Sequence, residues 1–185
     1  MFMKLLMLFV DGYEDTEAIG TLDVLTRGGD EVTCASLMKR KEITPKLGRR
    51  IIVDTCIEDI SMKEFDGLVI PGGPGSFKIM PNNPYIDAII EYFNENHKLV
   101  SAICAAPHLL GRLGLLKGKN FTIHPGFEDQ CIGGNYLRSE GVVRDDNIIT
   151  AKSMWYSLEF GLAIHEYFHG KESKEALKRS CQGEK

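Results

Sequence analysis

The strongest constraint on the fold is an alternation. Short, almost wholly apolar runs take turns with stretches of helical period along the chain. Met3 to Val10, Gly67 to Ile70 and Leu99 to Ile103 have the length of strands rather than helices. A strand that is apolar on both faces must be covered on both faces, as strands of parallel sheets are. Between the first two runs, Glu14 to Arg27 sets Ile19, Leu22 and Leu25 on one helical face, with acidic residues in its first turn and Gly28-Gly29 as the stop. Glu31 to Leu37 reads as a second strand. The polar segment Lys39 to Arg50, followed by Arg50 to Thr55, reads as a small hairpin or excursion. Pro84 to Asn94 is expected to be helical. Asn120 to Ile123, Gly141 to Arg144 and Asn147 to Thr150 are expected to be strands, the last two joined across Asp145-Asp146. A long helix follows over Ser153 to His169, and the charged tail from about Lys171 forms a short last helix. Strands alternating with helices predict an α/β fold with a mostly parallel sheet covered on both faces. With no repeat, linker or low-complexity stretch in 185 residues, one domain over 1–185 is expected.

Charge and cysteine usage narrow the function classes. A net charge of -4 leaves no basic surplus to meet phosphates, so a nucleic-acid role is not expected. No run is long enough to span a bilayer. The N-terminal MFMKLLMLFV has a single charge, Lys4, and no small-residue cleavage site, so it reads as a buried strand rather than a signal peptide. The cysteines, at 34, 56, 104, 131 and 181, are odd in number and form no C-x-x-C pair. That argues against a disulfide framework or zinc ribbon and for a reducing, cytoplasmic setting.

Four of the expected strand ends carry unusual chemistry. Leu99 to Ile103 runs straight into Cys104, and Ala105-Ala106-Pro107 then opens a helix, with Pro107 suited to its first turn. Strand, one reactive residue, helix is the layout of a nucleophile elbow. A thiol at such a helix N-terminus is expected to favour the thiolate, although free cysteine is also among the most buried residue types. Glu17 lies just beyond the first strand. A carboxylate there is ordinarily solvated; turned into the crevice instead, it would meet the Cys104 sulfur and, kept protonated by burial, shuttle protons. Glu14 and Asp15 compete for that role. Gly72 and Gly73 close the Gly67 to Ile70 strand as a turn whose N–H groups, with that of Ala105, can form an oxyanion hole. The stretch GGPGSF lacks the Lys-Ser/Thr end of a phosphate-binding loop. His124, before Pro125, is the candidate acid/base partner, whereas His108 lies one turn inside the elbow helix. In open α/β sheets the site lies beyond the carboxyl ends of the strands, where all four would converge. One further match, His165-Glu166-Tyr167-Phe168-His169, fits the H-E-x-x-H zinc-protease pattern. Its apolar flanks Leu158, Leu162 and Phe168 and its weak third ligands, Glu172 and Glu175, favour core packing, and no metal is expected.

Taken together, Glu17, Pro71-Gly72-Gly73, Ala102 to Pro107 and Thr122 to Pro125 resemble the ThiJ/PfpI superfamily. Within it they are most similar to the branch of the Parkinson's disease-associated protein deglycase and its bacterial relatives. The likeness runs from Lys4 to about Lys171 and includes Leu22-Asp23-Val24 and Ser157 to Phe160. The resemblance implies a flavodoxin-like three-layer α/β/α sandwich, the class I glutamine amidotransferase-like fold, usually as a homodimer. It implies a nucleophilic Cys104 in a strained elbow, a protonated Glu17 in contact with it, His124 nearby, and an oxyanion pocket from Gly73 and Ala105. Gly72, Arg27 and Arg49 are carried over as substrate-binding or interface positions. Family peptidases place histidine directly after the nucleophile, where this chain has Ala105. Glutamine amidotransferases need G-x-C-x-G, where this chain has Ala102 and Ala106. Protease and amidotransferase activities are therefore not expected.

The resemblance implies a glyoxalase III or deglycase-type enzyme that acts on a small 2-oxoaldehyde such as methylglyoxal without a cofactor. The alternative is a redox-sensing or chaperone-like stress protein built on oxidation of Cys104.

Overall fold

The computed structural model describes residues 2–184. Seven strands form the central sheet: β1 (Lys4–Phe9), β2 (Glu31–Ser36), β3 (Thr55–Cys56), β4 (Gly67–Ile70), β5 (Leu99–Ile103), β6 (Val142–Asp145) and β7 (Ile148–Ala151). Their spatial order is β6-β7-β5-β4-β1-β2-β3, and every pairing is parallel except that of β6 with β7. Among the described residues, five α-helices accompany them: α1 (Asp15–Arg27), α2 (Pro74–Lys78), α3 (Ile86–Glu95), α4 (Pro107–Arg112) and α5 (Ser157–Cys181).

The apolar runs are explained by burial on both faces. Along β1, Leu5, Met7 and Phe9 point into a core shared with Leu25 of α1 and Phe160 and Ile164 of α5. Leu6, Leu8 and Val10 point the other way, into a core with Ile86, Ile90 and Phe93 of α3 and Leu109 and Leu110 of α4. The alternation is the two-residue period of a strand, here with both sides dry.

Three expectations are corrected. First, α1 does not bury Ile19, Leu22 and Leu25 as its core face. Glu17, Ala18, Thr21, Val24 and Leu25 are buried, while Ile19 is 44% exposed. The helix is turned by its contact with α5, where Gly161 lets the backbones close in: a Cβ there would lie 2.9 Å from the Val24 Cβ. That rotation sends Glu17 inward. Second, Asn120 to Ile123 is not a strand of the central sheet. Only Asn120–Phe121 is extended, in a two-residue parallel ladder with Asn135–Tyr136. Thr122 instead docks on the sheet through its N–H to Thr150 Oγ1, at 2.9 Å. Third, Leu158, expected in the core, is exposed.

The excursion after β2 is the expected hairpin, with Glu42–Ile43 antiparallel to Ile51–Ile52. The long helix breaks at Gly170, whose φ of 83° is left-handed, so Lys171 to Cys181 forms a separate segment.

β1 sits between β2 on one side and β4 on the other, so the chain changes winding direction at β1. Crevices form at such switch points. The neighbours β1, β4 and β5 end at Asp11, Gly72 and Cys104, at the same edge of the sheet.

Candidate functional site

Cys104 follows β5 with a φ of 64°, a left-handed conformation that a non-glycine residue adopts only when its surroundings enforce it. The enforcement is visible. The Cys104 N–H donates to the Ala151 carbonyl at 2.9 Å, and its own carbonyl accepts from the His124 N–H at 2.9 Å. Ala106 N–H then turns back to the Ile103 carbonyl, and Pro107 opens α4. The thiol projects out of the sheet edge while the backbone is held on both sides.

Glu17 reaches this sulfur from α1. Glu14 caps the helix, its Oε2 accepting the Glu17 N–H at 2.8 Å, which orients the first turn. The Glu17 side chain is only 1% exposed; one oxygen accepts the Gly72 N–H at 3.0 Å and the carboxyl hydrogen-bonds the Cys104 sulfur. Asp15, a competing candidate, faces away and accepts from the Leu47 N–H. Glu14 lines the cleft but is occupied as the cap.

The Gly72-Gly73 turn fits where a side chain would not. A Cβ at Gly72 would sit 2.5 Å from Glu17 Oε2 and 2.7 Å from the Cys104 Cβ. Gly73 has a φ of 91° and would collide with the Glu14 backbone at 2.4 Å. The absence of both side chains brings the Gly73 N–H to the Cys104 sulfur, beside that of Ala105.

The electrostatics divide the pair. Burial pushes the Glu17 carboxyl up to about 7 from its ordinary 4.5, against the lowering effect of the Cys104 and Gly72 hydrogen bonds and of the Lys46 charge. The Cys104 thiol is also pushed up, by burial first and then by the Glu17 charge, while the Ala105 and Gly73 N–H groups pull it down. The thiolate expected from a helix N-terminus is therefore opposed here: α4 has only six residues, and a charged carboxylate lies against the sulfur. The opposition from that charge is relieved when Glu17 holds a proton.

A cleft of about 310 Å³ opens over the sulfur, lined by Glu14, Glu17, Lys46, Gly73, Cys104 and His124 and walled by aromatic rings. Phe77 and Phe127 meet with ring centroids 4.9 Å apart, and Phe127 packs edge-on to His124. His124 Nδ1 lies 3.0 Å from the Pro125 carbonyl. A carbonyl only accepts, so Nδ1 carries the proton and Nε2 is left as the basic nitrogen.

The structure thus gathers Cys104, Glu17, Gly72, Gly73, Ala105 and His124. It does not gather the two arginines: Arg27 is exposed and paired with Asp23 at 2.7 Å, Arg49 is exposed in the hairpin loop, and neither lines the cleft. The cationic lining residue is Lys46, which sequence reasoning missed. Its only local signal was its place in the basic segment after β2. Phe77, Phe127, Ser153 and Met154 were missed as well. His108 is buried, its Nε2 at 3.0 Å from the Ser76 carbonyl, and takes no part.

A doubly covered, mostly parallel sheet with a left-handed cysteine elbow at the carboxyl end of β5, near the switch point at β1, defines a class of α/β proteins organised around one thiol. The chain belongs to the DJ-1/PfpI family, whose pattern it matches over residues 3–167. It is 31% identical to the protein dj-1beta of Drosophila melanogaster over 96% of this chain and 95% of that one. The crystal structure of that fly protein superposes with a TM-score of 0.91 over 98% of both chains, at 30% identity. It is 33% identical to the glutathione-independent glyoxalase DJR-1.2 of Caenorhabditis elegans, over 94% of this chain and 92% of that one. It is 36% identical to a protein named deglycase from Pyrococcus abyssi, over 81% and 90%. Among the described residues, no helix is long and apolar enough to cross a membrane.

Proposed function

We propose that the cleft is the active site of a cysteine-dependent, glutathione-independent glyoxalase that converts methylglyoxal, glyoxal or a related 2-oxoaldehyde without a cofactor. The observation that carries this reading is the surround of the Cys104 sulfur: a buried carboxyl titrating near 7 on one side and the Gly73 and Ala105 N–H groups on the other. The names of the nematode and archaeal relatives, glyoxalase and deglycase, support the same class of chemistry.

The thiol passes its proton to Glu17 as the sulfur adds to the aldehyde carbon of methylglyoxal. The aldehyde oxygen becomes an oxyanion, stabilised by the Gly73 and Ala105 N–H groups, and is protonated to give the hemithioacetal. Glu17, again a carboxylate, removes the hydrogen from that carbon and returns it to the neighbouring ketone carbon, through an enediol, which leaves a lactoyl thioester. Water, activated by His124 Nε2, cleaves the thioester, releasing lactate and the free thiol. The sum is methylglyoxal plus water to lactic acid, with nothing oxidised or reduced overall. A proton carrier that must both accept and donate works best with a pKa near the working pH. A deglycase reaction would begin one step earlier: the hydroxyl of an early aldehyde adduct gives up its proton as the amine or thiol takes one and leaves, and the aldehyde so released adds to Cys104 as above. Gly72 orients Glu17.

The chain is further read as a homodimer. Exposed apolar residues on α1 and the hairpin, Ile19 and Ile52, support this, and Arg27 and Arg49 lie on those same two elements. Sedimentation at twice the chain mass is the expected result.

The test is to incubate the pure protein with methylglyoxal in the absence of glutathione and follow lactate. Lactate is expected to form with the wild type and not with Cys104→Ala. Equal lactate from both overturns the reading. If neither forms lactate while peroxide converts Cys104 to the sulfinate ahead of Cys34 and Cys181, the alternative of a redox sensor takes its place.

A further inference from the structure

The H-E-x-x-H segment is the one sequence motif that the cleft leaves unused. Its histidines, one turn apart on α5, share a face and lie with ring centroids 4.4 Å apart. They do not turn to Glu172 or Glu175. Both face Asp30, in the turn between α1 and β2: His165 Nδ1 is 3.3 Å from one carboxylate oxygen and His169 Nε2 is 2.7 Å from the other.

Three observations set this cluster apart from ordinary packing. The Asp30 side chain is 0% exposed, and among the described residues no lysine or arginine pairs with it. A buried carboxylate is costly without a counter-charge, and a bound cation would supply one. Next, His165 Nε2 is held by the Ser173 hydroxyl at 2.8 Å. Ser173 comes from the segment beyond the break at Gly170, which folds back onto the ring. A ligating histidine characteristically anchors its second nitrogen in this way. Finally, the ring is given room. A Cβ at Gly28 would lie 2.6 Å from His165 Nδ1.

We propose that Asp30, His165 and His169 form a binding site for a divalent transition metal, with zinc as the best-fitting ion, that pins the C-terminal helix to the α1–β2 turn. The three ligand atoms lie within 4.8 Å of one another. Two ligands about 2.0–2.1 Å from a tetrahedral zinc stand roughly 3.3 Å apart; the His165–Asp30 pair already has this separation, and the His169–Asp30 pair, at 2.7 Å, would open on binding. Two imidazole nitrogens select zinc and its transition-metal neighbours over magnesium or calcium. Water would complete the shell at the half-buried His169 side. The site is structural and not that of a peptidase. Glu166, which would be the general base in the protease pattern, is paired with Lys174 at 2.6 Å.

The test uses the full chain stripped with a chelator. Zinc chloride is titrated by calorimetry and melting is followed with and without zinc. One equivalent is expected to bind, and zinc at about 100 times its Kd should raise Tm by about 5–10 °C. His169→Gln, at the least buried ligand, and Gly28→Ala, which displaces the His165 ring, should each weaken binding at least tenfold and shrink the Tm rise. Glu166→Gln should leave both unchanged. Cobalt(II) in place of zinc should show no thiolate charge-transfer band, which separates this site from the cysteines. No zinc-dependent rise in Tm, binding unaltered in His169→Gln, or a thiolate band would each overturn the proposal.

Discussion

Replacing Glu17 by glutamine separates the charge of this residue from its packing. The carboxamide oxygen can still accept the Gly72 N–H, and the NH2 group can still face the Cys104 sulfur, so glutamine reproduces the protonated acid but cannot ionise. In the wild type the carboxyl titrates at about 7 in the folded protein against 4.5 ordinarily. At about pH 4 it is protonated in both states and its burial is tolerated. As pH rises through 4.5 the unfolded chain releases the proton while the folded protein keeps it, so stability falls, and the loss is complete once pH has passed about 7. The difference between the two pKa values corresponds to about 3 kcal/mol. Wild type and Glu17→Gln should therefore diverge by up to that amount between about pH 4 and about pH 8, with the variant the more stable at the upper end. Holding the window below about pH 8 keeps the raised Cys104 thiol from contributing. Urea denaturation followed by far-UV circular dichroism is the suitable assay, because Trp155, the only tryptophan, is exposed and reports little on the core. The same variant should lose about 10²–10⁴-fold in lactate formation, since a carboxamide cannot carry the proton. Parallel stability curves for the two proteins across this window would refute the account of a buried carboxyl held neutral. Retained activity would refute its role in proton transfer.

Gly72→Ala should destabilise the protein by about 1–3 kcal/mol and abolish turnover, because the new methyl group meets the Glu17 carboxyl, the Cys104 Cβ and the Ile103 carbonyl within 2.8 Å; thermal melting and the lactate assay check both parts. Lys46→Met should move the pH dependence of Glu17 upward, since the lysine charge now favours the carboxylate. The pH–rate profile of lactate formation reads the shift directly, and an unmoved or lowered limb would contradict it.

Sequence pattern alone reached the sheet, because buried parallel strands must be apolar on both faces and are therefore visible as unbroken runs. It also reached the elbow, because a strand that ends on cysteine and passes through Ala-Ala-Pro into a helix is a local arrangement. It could not choose among Glu14, Asp15 and Glu17. That choice depends on how α1 is rotated, and the rotation is set by Gly161 and Val24, partners distant in the chain. The same cause misassigned Ile19. His124 was legible as a residue of interest but for an incomplete reason: a hydrogen bond from its N–H to the Cys104 carbonyl docks it, rather than a place in the central sheet. Lys46 could not be picked out from its neighbours in a basic loop, since only the packing of that loop over the cleft distinguishes it.

Residue order thus carried most of the strands and helices and the cysteine at the end of β5. Both follow from short-range periodicity and turn chemistry. The packing of distant segments decided which groups lie together: Glu17 beside Cys104, and Asp30 beside His165 and His169 across more than 130 residues of chain. The physical reason is that burial and proximity set the state of an ionisable group, and neither is encoded in its neighbours along the chain.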